Sequence, residues 1–496
     1  MNPTRPAAVV ILAAGEGTRM KSDLPKVLHP IGGRSLVGHA IRAARTTQAR
    51  YVEVVVRHQR DRVVEHCREL DADLLFADQD ETKGTGRAVE CGLAALPDGL
   101  DGTILVTSGD VPLLSGQTLL DLTAKHQADG AAVTLVSARV PNPFGYGRVI
   151  RGADGSVEAI VEHKDATAEQ HAIDEINAGI YAFDAAVLRE SLAKVTTQNA
   201  QGEKYLTDVI RIARASGRLV QAHVVDDLWQ TEGVNDRVQL ANLGRVLNQR
   251  VCEQHMRDGV TIVDPTTTWI DVDVSIGRDT TILPGTHLLG ATSIGSGARI
   301  GPDVTLIDTE VHDDATVLRS HAELSVIGVG ATVGPYSHLR VGTVLGPKGK
   351  IGGFVETKNA DIGPGAKLPH LSYVGDATIG EGANIGAGVI FANYDGVNKH
   401  HTNVGRYAFV GSDSVLIAPL TVGDGTYVGA GSALTQDVEP GQIAVARGRQ
   451  RNIDGWVARS RPGTKAAEAA EAAEPHTESP AEPTPEPTAE EGTSAP

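Results

Sequence analysis

The segment LAAGEGTRMKSDLPK, residues 12–26, combines an apolar run, a glycine turn and two cations. Gly15 and Gly17 let backbone N–H groups approach a ligand closely, and N–H groups that converge in this way bind anions. Arg19 and Lys26 add positive charge beyond the turn. The segment matches neither G-x-G-x-x-G nor G-x-x-x-x-G-K-[ST]. We interpret it as a loop that surrounds nucleotide phosphates from the side, although a plain strand–helix turn would look much the same.

The elements around this loop indicate an α/β domain. From residue 1 to about residue 240, strand-like runs such as AAVVILAAG, YVEVVVRH and GTILVTSGDVPLL alternate with helix-like segments. This alternation predicts a parallel or mixed sheet with helices on both faces. Ligands of such sheets bind at the carboxyl ends of the strands. We therefore expect Gly15, Asp110 and Gly179 to lie at that edge.

A six-residue period dominates the chain from about Thr261 to Val438. An apolar residue recurs at every sixth position, as in the run Ile276, Ile282, Leu288, Ile294, Ile300 and Leu306. Such a period predicts a parallel β-helix of about nine coils, with glycine or small residues at the corners. The polar interval Asn393–His401 breaks the period and predicts a projecting loop. Residues 237–259, before the repeats, read as one connecting helix that ends at Gly259.

Bulk composition excludes several classes of protein. The formal net charge is −17 and no basic face is visible, which argues against a nucleic-acid partner. Three separated cysteines argue against a disulfide framework and a Cys-based zinc site, and they fit a reducing compartment. The N-terminal apolar run is too short to cross a membrane, so we expect no membrane partner and a cytoplasmic location. The tail, residues 461–496, is rich in Ala, Glu, Pro and Thr and is predicted to be disordered.

Two motifs carry a resemblance to known enzymes. L-x-A-G-x-G-T-R-M followed by L-P-K resembles the signature of sugar-1-phosphate nucleotidylyltransferases, and SGDVPLL, residues 108–114, is similar to their metal-carboxylate motif. With the hexapeptide repeats, residues 7 to 459 resemble the family of bifunctional N-acetylglucosamine-1-phosphate uridyltransferases/glucosamine-1-phosphate acetyltransferases. The resemblance implies a Rossmann-like nucleotidyltransferase domain with a mixed sheet at residues 1–236 and a linker helix at 237–259. It implies a left-handed β-helix acetyltransferase domain at 260–460 and leaves only the tail outside.

For the N-terminal domain, the resemblance implies transfer of UMP from UTP to N-acetylglucosamine 1-phosphate, with release of pyrophosphate. Mg²⁺ would be held by Asp110 and Asn235, while Arg19 and Lys26 would neutralise the phosphates. The implied contacts to UTP and the UDP-sugar are Leu12, Ala13, Ala14, Gly15, Lys26, Gln79, Gly84, Thr85, Ser108, Gly109, Asp110, Gly147, Glu162, Asn177 and Asn235. The family often has Q-L-G-T-G-H where this chain has Thr82, Lys83 and Arg87, which predicts a more basic rim.

For the repeats, the resemblance implies acetylation of glucosamine 1-phosphate by acetyl-CoA. His370 would be the general base, oriented by Glu356, and the backbone N–H of Ala387 would stabilise the oxyanion. The amino-sugar phosphate would contact Arg340, Lys358, Tyr373 and Asn384. Acetyl-CoA would contact Ala387, Asn393, Tyr394, Ser412, Ala430 and Arg447. Val341 replaces the proline that commonly follows the arginine, which affects the placement of Arg340.

Three alternatives remain open at this point. The chain could be a nucleotidylyltransferase whose repeats serve only to assemble a trimer, or a scaffold protein with a degenerate nucleotide pocket. His338, His370, His400 and His401 could instead bind zinc, as three histidines do in some hexapeptide solenoids. The resemblance favours a homotrimer in which residues 393–401 reach a neighbouring subunit and the partners are otherwise small molecules.

Overall fold

A nine-stranded mixed sheet organises the N-terminal half of the computed structural model, which describes residues 5–473. The strands of this half are β1 (Ala8–Leu12), β2 (Pro30–Ile31), β3 (Arg34–Ser35), β4 (Tyr51–Val56), β5 (Leu75–Asp78), β6 (Thr103–Ser108), β7 (Val133–Arg139), β8 (Arg148–Arg151), β9 (Val157–Val161), β10 (Glu175–Asp184) and β11 (Val220–Val224). The helices are α1 (Leu36–Thr46), α2 (Arg60–Leu70), α3 (Thr85–Ala95), α4 (Gly116–Asp129), α5 (Ala168–His171), α6 (Ala185–Leu192), α7 (Asp208–Ala215) and α8 (Arg237–Arg257). None of the helices between residues 5 and 473 is long and apolar enough to span a bilayer.

The sheet order is β11-β7-β10-β6-β1-β4-β5, with β8 paired to β10 and β9 paired to β8, and it confirms the predicted mixed sheet. Strand β1 is parallel to β4 and β6, and Leu12 lies opposite Ser108. The residues that follow these two strands, Gly15 and Asp110, therefore meet at one edge, as predicted. Gly179 lies inside the antiparallel strand β10, near an irregularity between Asn177 and Tyr181. Because Tyr181 pairs with Val106, Gly179 lies level with the end of β6 and therefore at the predicted edge.

Helices cover both faces of the sheet because the β1 strand is apolar on both sides. Ala8 and Val10 belong to one buried cluster, whereas Val9 and Ile11 belong to the other. A strand buried on both faces reads as a continuous apolar run, and this explains the sequence AVVIL.

The connecting helix α8 begins at Asp236, whose side chain accepts hydrogen bonds from the Val238 and Gln239 N–H groups. Its apolar face is shared between the two halves of the chain. Leu243 is buried with residues of the sheet domain, and Cys252 is buried with residues of the repeats. The predicted helix is confirmed, although it ends at Arg257, two residues before Gly259.

The repeats form a left-handed parallel β-helix with three faces, as predicted. One face is an 11-stranded sheet of Thr261–Ile262, Thr281–Ile282, Arg299–Ile300, Thr316–Val317, Thr332–Val333, Lys350–Gly353, Lys367–His370, Asn384–Ile385, Phe409–Val410, Tyr427–Val428 and Ile443–Ala444. The other two faces share a 17-stranded sheet of Trp269–Ile270, Ser275–Ile276, His287–Leu289, Ser293–Ile294, Thr305–Ile307, Glu310–Val311, His321–Glu323, Val326–Ile327, His338–Leu339, Thr343–Leu345, Glu356–Ile362, Tyr373–Ile379, Ile390–Ala392, Thr402–Val404, Val415–Ile417, Leu420–Val422 and Ala433–Leu434. Eleven strands stack in the first face, the last of them beyond Val438, and they span ten steps from coil to coil, which is close to the predicted number of about nine coils.

The interior of the β-helix contains hydroxyl groups as well as apolar side chains. Ile282, Leu288 and Ile300 are fully buried at the six-residue period. Between them, Thr286 and Thr292 are also buried, and each hydroxyl donates to the backbone carbonyl three residues earlier, at 2.7 Å. Such bonds offset the desolvation of the buried hydroxyl groups.

Several corners of the β-helix differ from the sequence prediction of glycine or small residues. Asp308 and Asp413 have positive φ angles of 46° and 55°, and so do the large residues Tyr336 (61°) and Phe354 (58°). The rings of Tyr336 and Phe354 stack on consecutive coils with centroids 5.2 Å apart. Ring stacking on successive coils offsets part of the cost of a left-handed backbone.

Residues from Ala446 onward form a second unit, which is described by itself. It contains α9 (Trp456–Ser460) and α10 (Lys465–Ala473), and the Arg461 guanidinium lies over the Trp456 ring at 5.6 Å. Disorder was predicted from residue 461, but the alanine-rich sequence KAAEAAEAA has high helix propensity and forms α10. The remainder of the predicted disordered tail, residues 474–496, lies outside the described residues.

A buried carboxyl group in the sheet predicts a pH-dependent stability. Glu53 in β4 is fully buried, and neither side-chain oxygen has a hydrogen-bond partner among residues 5–473. It faces α3 at Gly92, where an added Cβ would lie 2.9 Å from Glu53 Oε2. Burial raises the pKa of Glu53 to about 8, so the folded state holds a proton that the unfolded state releases near pH 4.5.

We expect Glu53→Gln to gain stability over the wild-type protein as the pH rises from 5.5 to 8. The raised pKa means that the wild type loses stability in this window, by about 3 kcal/mol in total, whereas the amide does not titrate. Denaturant titrations at several pH values measure the difference. Glu65→Gln, at an exposed position of α2, is the control and should show no such trend. A constant difference between Glu53→Gln and wild type across the range would contradict the assignment.

Candidate active sites

The first candidate site is a cleft of about 460 Å³ at the edge where β1 and β6 end. Ten of the predicted contact residues line it: Leu12, Ala13, Ala14, Gly15, Lys26, Gln79, Gly84, Thr85, Ser108 and Asp110. Gly109 lies beneath the loop, and its N–H donates to the Leu12 carbonyl at 2.9 Å. The parallel pairing of β1 with β6 therefore brings the glycine loop and the predicted metal carboxylate into one cleft.

The glycine loop and Lys26 fit against one another closely. Gly17 has a φ of 63°, and a Cβ at this position would lie 2.5 Å from the Lys26 Cβ. Only glycine satisfies both conditions, because a side chain would be strained by the backbone and would displace the lysine. Gly17 thus allows Lys26 to reach the cleft.

The predicted metal ligands already interact with the predicted phosphate-binding cations. Lys26 Nζ forms an ion pair with Asp110 Oδ2, and Arg19 Nη2 donates to Asn235 Oδ1 at 2.7 Å. The Val234 N–H donates to the Asp110 carbonyl at 2.9 Å, which holds the segment containing Asn235 against Asp110. The site therefore brings together two oxygen ligands and two cations that are far apart in sequence.

The predicted sugar contacts meet beside this cleft. The Asn177 N–H donates to the Gly147 carbonyl at 2.9 Å, and a Cβ on Gly147 would lie 3.7 Å from the Glu162 carboxylate. Burial raises the pKa of Glu162, while a hydrogen bond from the Thr207 hydroxyl at 3.1 Å has the opposite effect. The neighbouring Leu206 N–H donates to the Thr85 hydroxyl at 3.1 Å, which links the sugar contacts to the loop at residues 82–86.

The structure changes the prediction of a more basic rim. Arg87 binds Asp80 through two nitrogens and also pairs with Glu90 at 2.9 Å, so its charge is neutralised. These bonds from Arg87 lower the pKa of Asp80 to about 2. Lys83 does line the cleft, and among the described residues it has no ion pair.

Sequence reasoning missed three charged residues of the cleft, Glu16, Arg57 and Glu203. Arg57 is the first residue after β4, so the strand pattern alone could have predicted that it lies at the carboxyl edge of the sheet. Glu203 belongs to no motif. The backbone beside it pairs with the loop at residues 82–86 through a Lys204 N–H to Lys83 carbonyl bond of 3.0 Å, which only the tertiary structure shows.

The second candidate site lies on the 17-stranded sheet of the β-helix. Glu356 and Tyr373 are direct neighbours on adjacent coils, and Arg340 Nη1 binds Glu356 Oε1 at 2.9 Å. The predicted pairing of Glu356 with His370 is absent from the described residues, where the His370 ring makes no hydrogen bond. Glu356 therefore holds an arginine in this structure rather than the imidazole.

A further lysine joins this site. The amino group of Lys399 lies close to that of Lys358, and this proximity lowers the pKa of Lys358, with a smaller contribution from Arg340. Three cations that converge on one surface form an arrangement suited to an anion such as a phosphate group. Sequence reasoning missed Lys399 as a contact because it lies in the projecting loop.

His370 begins a column of the predicted acetyl-CoA contacts along one corner of the β-helix. The Gly388 N–H donates to the His370 carbonyl at 3.2 Å, the Asp413 N–H to the Ala387 carbonyl at 2.8 Å, and the Gly431 N–H to the Ser412 carbonyl at 2.8 Å. The residues that this stacking places on consecutive coils are His370, Ala387, Ser412 and Ala430. Residues 17 to 25 positions apart in sequence thus become neighbours.

The remaining predicted contacts are distributed more widely. The projecting loop is confirmed between the strands ending at Ala392 and starting at Thr402, and Asn393 Nδ2 donates to Asp376 Oδ2 at 2.5 Å while Tyr394 is exposed. Asn384 lies in the 11-stranded sheet, on a different face from the three other amino-sugar contacts. Arg447 belongs to the second unit.

Three of the four histidines considered for zinc contact other groups. His400 pairs with Asp395 at 2.6 Å, His401 lies 3.0 Å from the Thr378 hydroxyl, and the His338 ring contacts His321. Among residues 5–473, no group of three or more His, Cys, Asp or Glu side chains is arranged to hold a metal ion.

The fold and the two sites define a class: a nucleotidyltransferase domain joined to a hexapeptide-repeat transferase. Residues 9–177 match the family model described as a MobA-like NTP transferase domain. Residues 273–308 match the model described as bacterial transferase hexapeptide (six repeats). A solved structure of UDP-glucose pyrophosphorylase with UDP-glucose has a TM-score of 0.40 and 17% identity and covers 49% of this chain and 99% of its own, a likeness too low to bear on function.

The chain belongs to the family of bifunctional GlmU proteins. The protein of that name from Pseudarthrobacter chlorophenolicus is 57% identical and covers 95% of this chain and 96% of its own length. Those from Mycolicibacterium vanbaalenii and Corynebacterium glutamicum (strain R) are 57% and 56% identical over 93% and 94% of this chain, and over 95% and 97% of their own. The predicted family, and with it the pairing of two transferase functions in one chain, is confirmed.

Proposed function

We propose that this enzyme makes UDP-N-acetylglucosamine in two steps at two sites. The β-helix acetylates glucosamine 1-phosphate with acetyl-CoA, and the sheet domain then transfers UMP from UTP to the product and releases pyrophosphate. The observation that carries the second step is the meeting of the glycine loop, Lys26 and Asp110 in one cleft. We assign residues 1–236 to uridyl transfer and 260–460 to acetyl transfer, with the linker helix between them.

In the uridyl transfer, a phosphate oxygen of the sugar attacks the α-phosphorus of UTP, and the bond to the pyrophosphate leaving group breaks. The attacking group is already an anion, so no general base is required. Catalysis depends on alignment and on neutralising negative charge. The loop N–H groups, Arg19 and Lys26 supply positive charge. Gln79 and Gly84 bind the uracil. The acetylated sugar is bound by Gly147, Glu162 and Asn177.

Asp110 and Asn235 fit Mg²⁺. Both present side-chain oxygen atoms, which this hard cation prefers, and both lie beside the phosphate-binding cations. When bound there, Mg²⁺ would neutralise phosphate charge. Lys26 and Arg19 bind the same two oxygen-bearing side chains in this structure, so a cation held by Asp110 and Asn235 would leave the lysine and the arginine available to contact the triphosphate.

In the acetyl transfer, the sugar amine attacks the thioester carbonyl carbon of acetyl-CoA. His370 takes the amine proton, the carbon–sulfur bond breaks, and the thiol of CoA leaves. The Ala387 N–H would stabilise the oxyanion, since Ala387 and His370 lie on consecutive coils of one corner. Arg340, Lys358 and Tyr373 would hold the sugar phosphate, and the column continuing to Ser412 and Ala430 would hold acetyl-CoA together with Asn393, Tyr394 and Arg447.

We propose that the working form is a homotrimer. Asn384 lies on another face of the β-helix from Arg340, Lys358 and Tyr373, so one chain does not bring the four predicted sugar-phosphate contacts together. A neighbouring chain that presents its Asn384 face or its loop at residues 393–401 would complete the site. The three free cysteines and the cytosolic nature of UTP and acetyl-CoA support a cytoplasmic location.

We expect His370→Ala to lower acetyl transfer at least about 100-fold and to spare uridyl transfer, because a general base contributes about 10²–10⁴-fold. Asp110→Ala should do the reverse, because it removes a metal ligand. Separate assays use glucosamine 1-phosphate with acetyl-CoA, and N-acetylglucosamine 1-phosphate with UTP and Mg²⁺. His312→Ala, on the β-helix surface, is the control and should keep both activities. One substitution that removed both activities from a folded protein would contradict two independent sites.

We expect Lys26→Met to bind Mn²⁺ more tightly than the wild type when no nucleotide is present, by about fivefold. The substitution removes the ammonium group that pairs with the Asp110 carboxylate and competes with the cation for it. A partly exposed ion pair of this kind is worth about 1 kcal/mol, which corresponds to the expected change in Mn²⁺ affinity. With UTP present, the order should reverse, because the variant lacks a phosphate contact. Electron paramagnetic resonance of free Mn²⁺ measures both affinities, and Lys21→Met in the same loop is the control. Weaker Mn²⁺ binding by Lys26→Met without nucleotide would refute the exchange of partners.

A further inference from the structure

One hydrogen bond crosses from the sugar contacts to the metal ligands. Tyr146 Oη donates to Glu232 Oε2 at 2.9 Å, although 86 residues separate the two. Residues 140–147 form a loop, here named the sugar-side loop, which ends at Gly147. Tyr146 is the residue before Gly147 in this loop. Glu232 begins the segment of residues 232–235, here named the metal-side segment, which ends at Asn235. Neither Tyr146 nor Glu232 belongs to the predicted contacts.

On the sugar side, the backbone around Tyr146 is held firmly. Arg148 Nη1 donates to the Tyr146 carbonyl, and the Arg148 side chain is only 1% exposed. The next carbonyl, that of Gly147, accepts the Asn177 N–H at 2.9 Å. A Cβ on Gly147 would lie 2.9 Å from the Ile160 Cγ2 atom, so the loop packs directly on β9. A shift of the Tyr146 phenol therefore moves Gly147 and its sugar contact with it.

On the metal side, the backbone after Glu232 lies on the residue that carries the metal carboxylate. The Val234 N–H donates to the Asp110 carbonyl at 2.9 Å. The Asn235 N–H donates to Gln239 Oε1 at 2.8 Å, which anchors the segment to the start of α8. The position of Glu232 thus affects where the Asn235 amide lies relative to Asp110.

We propose that Tyr146 and Glu232 are positioning residues that couple binding of the acetylated sugar to binding of the divalent cation. The inference rests on the proposed uridyl transfer. A sugar that orders the sugar-side loop fixes the phenol, the phenol fixes Glu232, and Glu232 fixes the metal-side segment. By linkage, the cation must favour the sugar by the same factor. The coupling would make the metal site complete only when both the sugar and the nucleotide are in place.

The chemistry of the pair suits this role. Burial first, and then the Glu232 charge and hydrogen bond, raise the pKa of Tyr146 above its ordinary value. The phenol therefore stays protonated and remains a donor at neutral pH. Tyr146→Phe removes only this donor and keeps the ring that packs against the sheet.

The test measures Mn²⁺ affinity by electron paramagnetic resonance in the presence of saturating UDP-N-acetylglucosamine or saturating UDP. The two nucleotides share the uridine and both phosphates, but UDP lacks the sugar and carries one more negative charge on its terminal phosphate. That charge by itself favours Mn²⁺ binding with UDP, so tighter binding with the UDP-sugar would have to come from the sugar. For the wild type we expect the UDP-sugar to tighten Mn²⁺ binding about fivefold or more relative to UDP, the lower end of typical coupling. For Tyr146→Phe and Glu232→Ala we expect the ratio to fall below about twofold.

Glu232→Gln is the matched control. Its amide oxygen still accepts a hydrogen bond from the phenol, so it should keep most of the wild-type ratio. Acetyl transfer and the unfolding midpoint report whether each variant is folded, and a purely structural role would alter the midpoint without altering the ratio. A wild-type ratio retained by Tyr146→Phe, or a wild-type ratio near one, would overturn the coupling. Failure of Mn²⁺ to bind with either nucleotide would contradict both the proposed uridyl transfer and the inference.

Discussion

Leu12 lies opposite Ser108 because β1 and β6 run parallel in one register, and this alignment decides which side chains meet in the sheet domain. Parallel strands place their carboxyl ends at the same edge, so the loop after β1 and the carboxylate after β6 must share a cleft. A shift of one residue would turn every side chain of β1 to the opposite face. Because both faces of β1 are packed by separate apolar clusters, that shift is costly and the cleft is fixed.

The same constraint acts in the β-helix, where every coil stacks in parallel on the one before. Each coil contributes one residue to a column, so His370, Ala387 and Ser412 become neighbours through backbone hydrogen bonds between consecutive coils. A solenoid of this kind cannot gather residues from one coil around a ligand, and it therefore builds its sites along a corner or between chains. The separate face that carries Asn384 follows from this geometry.

Features that depend on local pattern could be predicted from the sequence, and features that depend on side-chain partners could not. The six-residue period predicted the β-helix, and the loop after β1 together with the motif after β6 predicted the cleft. In contrast, the irregularity of β10 between Asn177 and Tyr181 was not predicted, because it depends on how β10 pairs with β7. Glu356 was assigned to His370, yet it binds Arg340 on the neighbouring coil. Arg87 was counted as free charge because its partner Asp80 lies seven residues earlier, in the loop before α3.

The two sites meet the same electrostatic requirement, although they carry out different chemistry. The chain has a formal net charge of −17, yet its proposed substrates are strongly anionic, so each site needs local positive charge. In the sheet domain, Lys26 and Arg19 are held by oxygen atoms that a cation could take over. In the β-helix, Arg340 is held by Glu356, whereas Lys358 and Lys399 lie close to one another and share the single carboxylate of Asp376. Like charges held together are stabilised by an anion that separates them, so a phosphate group gains affinity there by relieving repulsion, whereas in the sheet domain it gains affinity only after the cations exchange partners.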